Sequence, residues 1–127
     1  MPEYLLRPEG LPPTNGFSHA VVFTGRQIAV SGQVPLTADA TLAGEDAETQ
    51  IRQVFANLRT ALAAAGAGFE HVVKLTYFLT DLADVPVLRA VRDEHIDPQQ
   101  PPASSLIQVA GLVDPRFRVE IEALAAV

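Results

Sequence analysis

At 127 residues, with 48% hydrophobic and 19% charged side chains, the chain has the composition of one folded domain and not of a disordered acidic segment. A net charge of −6 argues against a protein that neutralises nucleic-acid phosphates, and the absence of cysteine excludes disulfides, thiolate metal sites and a thiol nucleophile. No apolar run reaches the roughly 18 residues of a membrane span, and Met1-Pro2-Glu3-Tyr4 lacks the basic and apolar regions of a secretory leader, so a cytoplasmic protein is expected.

Prolines and glycines recur from Pro8 to Gly16, which predicts an extended, irregular segment packed against the body of the domain. Ala20-Val21-Val22-Phe23-Thr24 and Gln27-Ile28-Ala29-Val30-Ser31-Gly32-Gln33-Val34 are rich in β-branched residues and are joined by Gly25-Arg26, the pattern of a hairpin. Pro35 to Gly44 reads as a loop. Between Asp46 and Ala65, the residues Ile51, Val54, Phe55, Leu58, Leu62 and Ala65 recur at three- and four-residue steps and predict a helix with one apolar stripe. Asp46 is placed to cap it and Gly66 to end it, while Glu48, Arg52, Gln53, Asn57 and Arg59 form a face expected in water.

From His71 to Leu79, Val73, Leu75, Tyr77 and Leu79 alternate with Val72, Lys74, Thr76 and Phe78, so a strand with one face toward a helix is predicted. Asp84 is the expected cap of a second helix, with Pro86 in its first turn and Val87, Leu88 and Val91 on its buried edge; Pro98, Pro101 and Pro102 end it. Two closing strands, around Ser105 to Ala110 and Arg118 to Ala125, flank a turn at Asp114-Pro115.

This order of elements implies an α+β sheet with both helices on one face. Ile28, Val30, Val34, Val73, Leu75, Val119 and Ile121 suit the helix side; Ala29, Ser31, Gln33, Thr76, Gln108, Glu120 and Glu122 fall on the other. That second face is small and neutral, neither a charged surface nor a second core, and predicts subunits closing sheet to sheet.

Five segments carry a family resemblance: Asn15-Gly16-Phe17-Ser18-His19-Ala20; Ser31-Gly32-Gln33-Val34-Pro35; Val72 to Lys74 with Thr80-Asp81-Leu82; Pro101-Pro102-Ala103-Ser104-Ser105-Leu106-Ile107-Gln108-Val109; and Val119 to Ala125. Together they resemble the RidA/YjgF family of enamine and imine deaminases along nearly the whole chain. The resemblance implies a single RidA-like, chorismate-mutase-like domain over residues 1–127, with a mixed sheet and two helices on one face. It also implies a homotrimer whose sheets form a central barrel, with three pockets at subunit interfaces that take small molecules.

Residue by residue, the resemblance places Phe17, Ser31, Gly32 and Glu120 at pocket positions. Phe17 stands where a tyrosine is common, keeping the apolar wall and losing a hydroxyl. Glu120 would position or activate the water that attacks an imine carbon, or is a sheet-face carboxylate satisfied by its neighbours. Ser31 offers a hydroxyl, and Gly32 a closely approachable backbone N–H. Ser104 stands where the family places an arginine, so a planar fork of charged donors becomes one neutral hydroxyl. Leu106 replaces a small or thiol residue. Arg89 falls where the deaminases carry a side-chain amide; it either restores a cation to the pocket or faces water beside Arg92, Asp93 and Glu94.

No metal or cofactor is expected: His19, His71 and His95 lie in different elements, and Gly66-Ala67-Gly68 follows a helix instead of opening one. His19 reads as a structural hydrogen-bonder. The expected function is therefore a trimer binding small carbonyl, imine or enamine metabolites in intersubunit clefts, with weak or altered imine/enamine deaminase (hydrolase) activity. The alternative is a non-catalytic small-molecule-binding trimer, which the loss of the arginine favours. Endoribonuclease activity, attached to some relatives, conflicts with the acidic balance.

Overall fold

The computed structural model describes residues 2–127. Its elements are β1 (Glu3–Leu5), β2 (Ala20–Val22), β3 (Gln27–Gln33), α1 (Ala47–Ala64), β4 (Val72–Leu79), α2 (Val85–Arg92), β5 (Ala103–Gln108) and β6 (Val119–Ala126), with 3-10 turns at Phe69–His71 and Leu82–Asp84. A four-stranded sheet runs β3-β6-β4-β5, parallel between β4 and β5 and antiparallel elsewhere; β1 and β2 form a separate antiparallel pair. This is an α+β fold with a mixed sheet.

Helix α1 forms as its periodicity predicts. Asp46 accepts a hydrogen bond from the Thr49 N–H at 2.9 Å, satisfying one of the orphan donors of the first turn. Its stripe of Ile51, Val54, Phe55, Leu58 and Leu62 is fully buried and joins Leu88 and Val91 of α2 and Leu75, Leu79, Val119, Ile121 and Ala125 of the sheet in one core. Burial of each such side chain contributes about 1.5–3 kcal/mol. Both helices therefore cover the same face of the sheet.

The expected hairpin between residues 20–24 and 27–34 does not form. β2 pairs with β1, Tyr4 opposite Val21, and β3 pairs with β6. The Arg26 N–H donates to the Val127 carbonyl at 2.8 Å and the Val127 N–H returns to the Arg26 carbonyl at 3.0 Å, so the supposed turn extends the ladder to the last residue. A β-branched run fixes a strand but not its partner.

Three further expectations are corrected. The β4–β6 ladder slips between Val72 and Lys74, and Val72, not Val73, joins the core under the helices. Asp84 does not cap α2 with its side chain; its carboxylate takes both Nε and Nη2 of Arg118, at 3.0 and 2.9 Å. Within the face of α1 expected in water, Asn57 donates to the Val34 and Leu36 carbonyls at 3.0 and 2.9 Å, and Arg59 lies over the Phe69 ring. The residues before β2 pack on the body as expected, with the Ser18 N–H and hydroxyl bonded to the Pro102 and Pro101 carbonyls.

Candidate functional site

A cavity of about 130 Å³ opens where α2 meets the β4–β5 edge of the sheet, close to the size that holds a benzene ring. Its placement follows from register. Ser104 and Leu106 of β5 stand beside Leu75 and Tyr77 of β4 in a parallel pair, so their side chains share the helix-facing side. Ser105, between them, points the other way and accepts from Lys74 Nζ at 3.0 Å. From α2, Leu88, Arg89 and Arg92 reach the cavity, and Asn15 and Phe17 close it from the loop before β2.

The two arginines have different surroundings. Arg92 is 8% exposed. Its Nη1 donates to the Asn15 carbonyl at 3.1 Å, its Nη2 to Asn15 Oδ1 at 3.2 Å, and Nε and Nη2 hold Asp93 Oδ1 at 3.0 and 2.8 Å. Its charge and most of its donors are engaged within the chain. Arg89 is exposed and its side chain makes no hydrogen bond or ion pair among the described residues, leaving a free five-donor fork at the mouth of the cavity. None of the cavity's lining residues is acidic.

Tyr77 supplies the floor. It is 4% exposed, and burial pushes its phenol pKa well up, with the Arg92 charge opposing and the Asp93 charge adding to that shift. The hydroxyl is a neutral donor at any ordinary pH. His19, in turn, braces the Phe17 loop: its Nε2 is 2.8 Å from the Pro12 carbonyl, which it meets as a donor, and its ring stands edge-on to Phe17 at 5.8 Å.

Phe17, Arg89, Ser104 and Leu106 are thus brought together, whereas Ser31, Gly32 and Glu120 form a second group. Glu120 lies opposite Phe78 on the face away from the helices, and a Cβ at Gly32 would overlap its carboxylate. Ser31 sits beside Lys74, Thr76 and Glu122 in a shallow hollow of the same face. These two groups border opposite edge strands, β5 and β3, of one open sheet. Among the described residues no cluster of three or more His, Asp or Glu side chains is placed to hold a metal ion, and no helix is long and apolar enough to cross a membrane.

Asn15, Tyr77, Leu88 and Arg92 escaped the sequence reading of the site. Tyr77 is concealed by its alternation with Leu75 and Leu79, which marks it as core; Arg92, three residues after Arg89 and four after Leu88, sits on the same helix face, and that spacing was the available signal.

A two-helix layer on a mixed sheet, with a small cavity lined by two arginines at one sheet edge, defines the α+β architecture of the chain. The family model described as Endoribonuclease L-PSP matches residues 8–127. The chain is 40% identical over 112 residues to protein DfrA of Myxococcus xanthus, covering 86% of this chain and 83% of that one. It is 34% identical over 129 residues to the 3-aminoacrylate deaminase RutC of Acinetobacter baylyi, covering all of both. In structure it is similar to YyfB, a protein of the conserved Rid family from Yersinia pestis, with a TM-score of 0.87 at 33% identity over 99% of this chain and 98% of that one. The chain belongs to this family, the RidA/YjgF proteins.

Proposed function

We propose that the protein, as a single RidA-like domain over residues 1–127, binds small carboxylate-bearing carbonyl, imine or enamine metabolites in clefts shared between copies of a homotrimer. The observation that carries this reading is the unpartnered Arg89 guanidinium at a cavity also lined by Phe17, Ser104 and Leu106. Arg89 offers a carboxylate the two-bond contact that Ser104 cannot, and Phe17, Leu88 and Leu106 provide an apolar wall for a short side chain.

The second group completes the cleft from a neighbouring copy. Ser31, Gly32 and Glu120 belong to the β3 side of the sheet and the cavity to the β5 side, so one chain cannot assemble them into a single site. When sheets close edge to edge, Glu120 of one copy is the carboxylate available to orient water toward a ligand carbon held by Arg89 of the next. Water adds to the imine carbon, its proton passes to nitrogen, and the tetrahedral adduct expels ammonia to leave the ketone.

Deaminase activity is expected to be weak or redirected, because a cation on α2 approaches the ligand from a different wall than one on β5. Loss of one well-aimed charged donor costs roughly 3 kcal/mol, on the order of a hundredfold in rate. The alternative, a binding trimer without catalysis, is supported by the replacement of the family arginine with Ser104. A coupled assay of 2-imino acid hydrolysis separates the two: rates about a hundredfold below an arginine-bearing relative support slow catalysis, no turnover with retained ligand binding supports the alternative, and equal rates refute the importance assigned to Ser104. A monomeric mass in light scattering at micromolar concentration removes the shared cleft.

A further inference from the structure

The mechanism outlined above leaves Tyr77 unused. Its ring is packed into the core under α2, yet its hydroxyl has no hydrogen-bond partner among the described residues. No described side-chain oxygen or nitrogen that is sealed from solvent lacks a partner, so this hydroxyl is not sealed; it opens into the cavity that Tyr77 lines. In a residue that is 4% exposed and borders a cavity, a hydroxyl with no protein partner is a donor available to a ligand acceptor. Arg92, which lines the same cavity, is already bonded to Asn15 and Asp93.

We propose that the Tyr77 hydroxyl is a specificity-determining donor of this cavity, meeting the carbonyl oxygen of a 2-oxo acid whose carboxylate sits on Arg89. The inference rests on the reading of the cavity as a carboxylate site and adds the depth contact to it. The chemistry favours an oxygen acceptor: the walls supply donors from Tyr77, Ser104 and Arg89, no lining residue is acidic, and the Asn15 side-chain oxygen is taken by Arg92. A protonated iminium nitrogen has no lone pair to offer a phenol, so this contact selects the oxo form, or a neutral imine, over the iminium. A ligand with an acidic group but no oxygen at the second carbon would leave the hydroxyl buried and unpaired, which lowers affinity about tenfold.

The test uses 2-oxobutanoate and butanoate, two probes of similar length that share the carboxylate and differ at the carbonyl. In the unaltered protein, calorimetry is expected to give about tenfold tighter binding of 2-oxobutanoate. Tyr77→Phe should collapse that preference by weakening 2-oxobutanoate alone, whereas Arg89→Ala should weaken both probes together. A preference that survives in Tyr77→Phe, or its absence from the unaltered protein, overturns the inference while leaving the Arg89 site standing. Failure of both probes to bind overturns the site itself and the inference with it.

A second measurement does not depend on the folding of Tyr77→Phe. The chain has two tyrosines and no tryptophan, so a ligand difference spectrum in the tyrosine band comes from Tyr4 or Tyr77. Binding of 2-oxobutanoate should perturb that band equally in the unaltered protein and in Tyr4→Phe. A band unmoved by bound ligand, or one abolished by Tyr4→Phe, overturns the inference.

Discussion

The Arg92 guanidinium sits on the Cα of Gly16, in the space that a Cβ would fill, and donates to the carbonyl and side-chain oxygens of Asn15 at 3.1 and 3.2 Å. A residue of α2 thereby fixes the loop that carries Phe17. Gly16 has φ of +71°, so both its backbone conformation and the overlying arginine demand glycine. The cavity's shape thus depends on a contact between two positions that are remote in sequence.

Gly16→Ala is expected to destabilise the fold by about 1–3 kcal/mol from backbone strain alone, and to loosen the Phe17 wall by displacing Arg92. Urea denaturation reads the first effect and ligand affinity the second. Arg92→Lys, which keeps the charge and loses the fork, should spare most of the stability but still weaken binding. Stability and affinity that both match the unaltered protein in Gly16→Ala would show that the loop is not held in this way.

Gln50 is the second polar residue on which the fold turns. It is fully buried; its Nε2 donates to the Gly44 and Arg116 carbonyls, each at 2.9 Å, and its Oε1 accepts from the Arg118 N–H at 2.7 Å. Gln50→Leu keeps the volume and strands these three backbone groups, so a loss of about 3 kcal/mol is expected in chemical denaturation. A change within about 0.5 kcal/mol would mean that water replaces the amide.

The contrast between Gln50 and its neighbours explains what was readable in advance. The stripe from Ile51 to Leu62 and the cap at Asp46 encode α1 locally, and the helix begins and ends within a residue of the expected bounds. Gln50 lies four residues before Val54, on that stripe, but a glutamine there signals nothing about the three distant backbone groups it joins. The partner of β3 was equally hidden, since Arg26 bonds to Val127 at the far end of the chain. Around the cavity, the residue types at Phe17 and Ser104 were legible, while the separation of Ser31, Gly32 and Glu120 from them depended on strand order, and the different surroundings of Arg89 and Arg92 on which donors were already taken.

Asp84 and Arg118 tie the start of α2 to the start of β6. Asp84 is 7% exposed, and its carboxylate accepts two hydrogen bonds from a guanidinium whose side chain is 38% exposed. Cutting one partner of a fully buried pair costs about 3–5 kcal/mol; with Arg118 partly in water the expected cost of Asp84→Ala is about 2 kcal/mol. A double-mutant cycle with Arg118→Ala should return a coupling of about 1–2 kcal/mol. A coupling near zero would show that each side chain acts through other contacts.

His95 gives stability a pH dependence of defined sign. Its ring stacks on Phe55 at 4.9 Å, and its Nδ1 accepts from Arg59 Nη2 at 2.8 Å, which requires the neutral imidazole. Burial lowers its pKa below the ordinary 6.5, the Arg59 and Arg52 charges lower it further, and Glu94 opposes them. Between the depressed folded value and 6.5 the unfolded chain binds more protons, so stability rises with pH across that window; it is fully present above 6.5 and declines as pH falls below it. The melting temperature should therefore drop between about pH 7.5 and about pH 5, and His95→Phe, which keeps an aromatic ring against Phe55 without a titrating proton, should reduce that drop. Equal slopes in both proteins would assign the dependence to other groups.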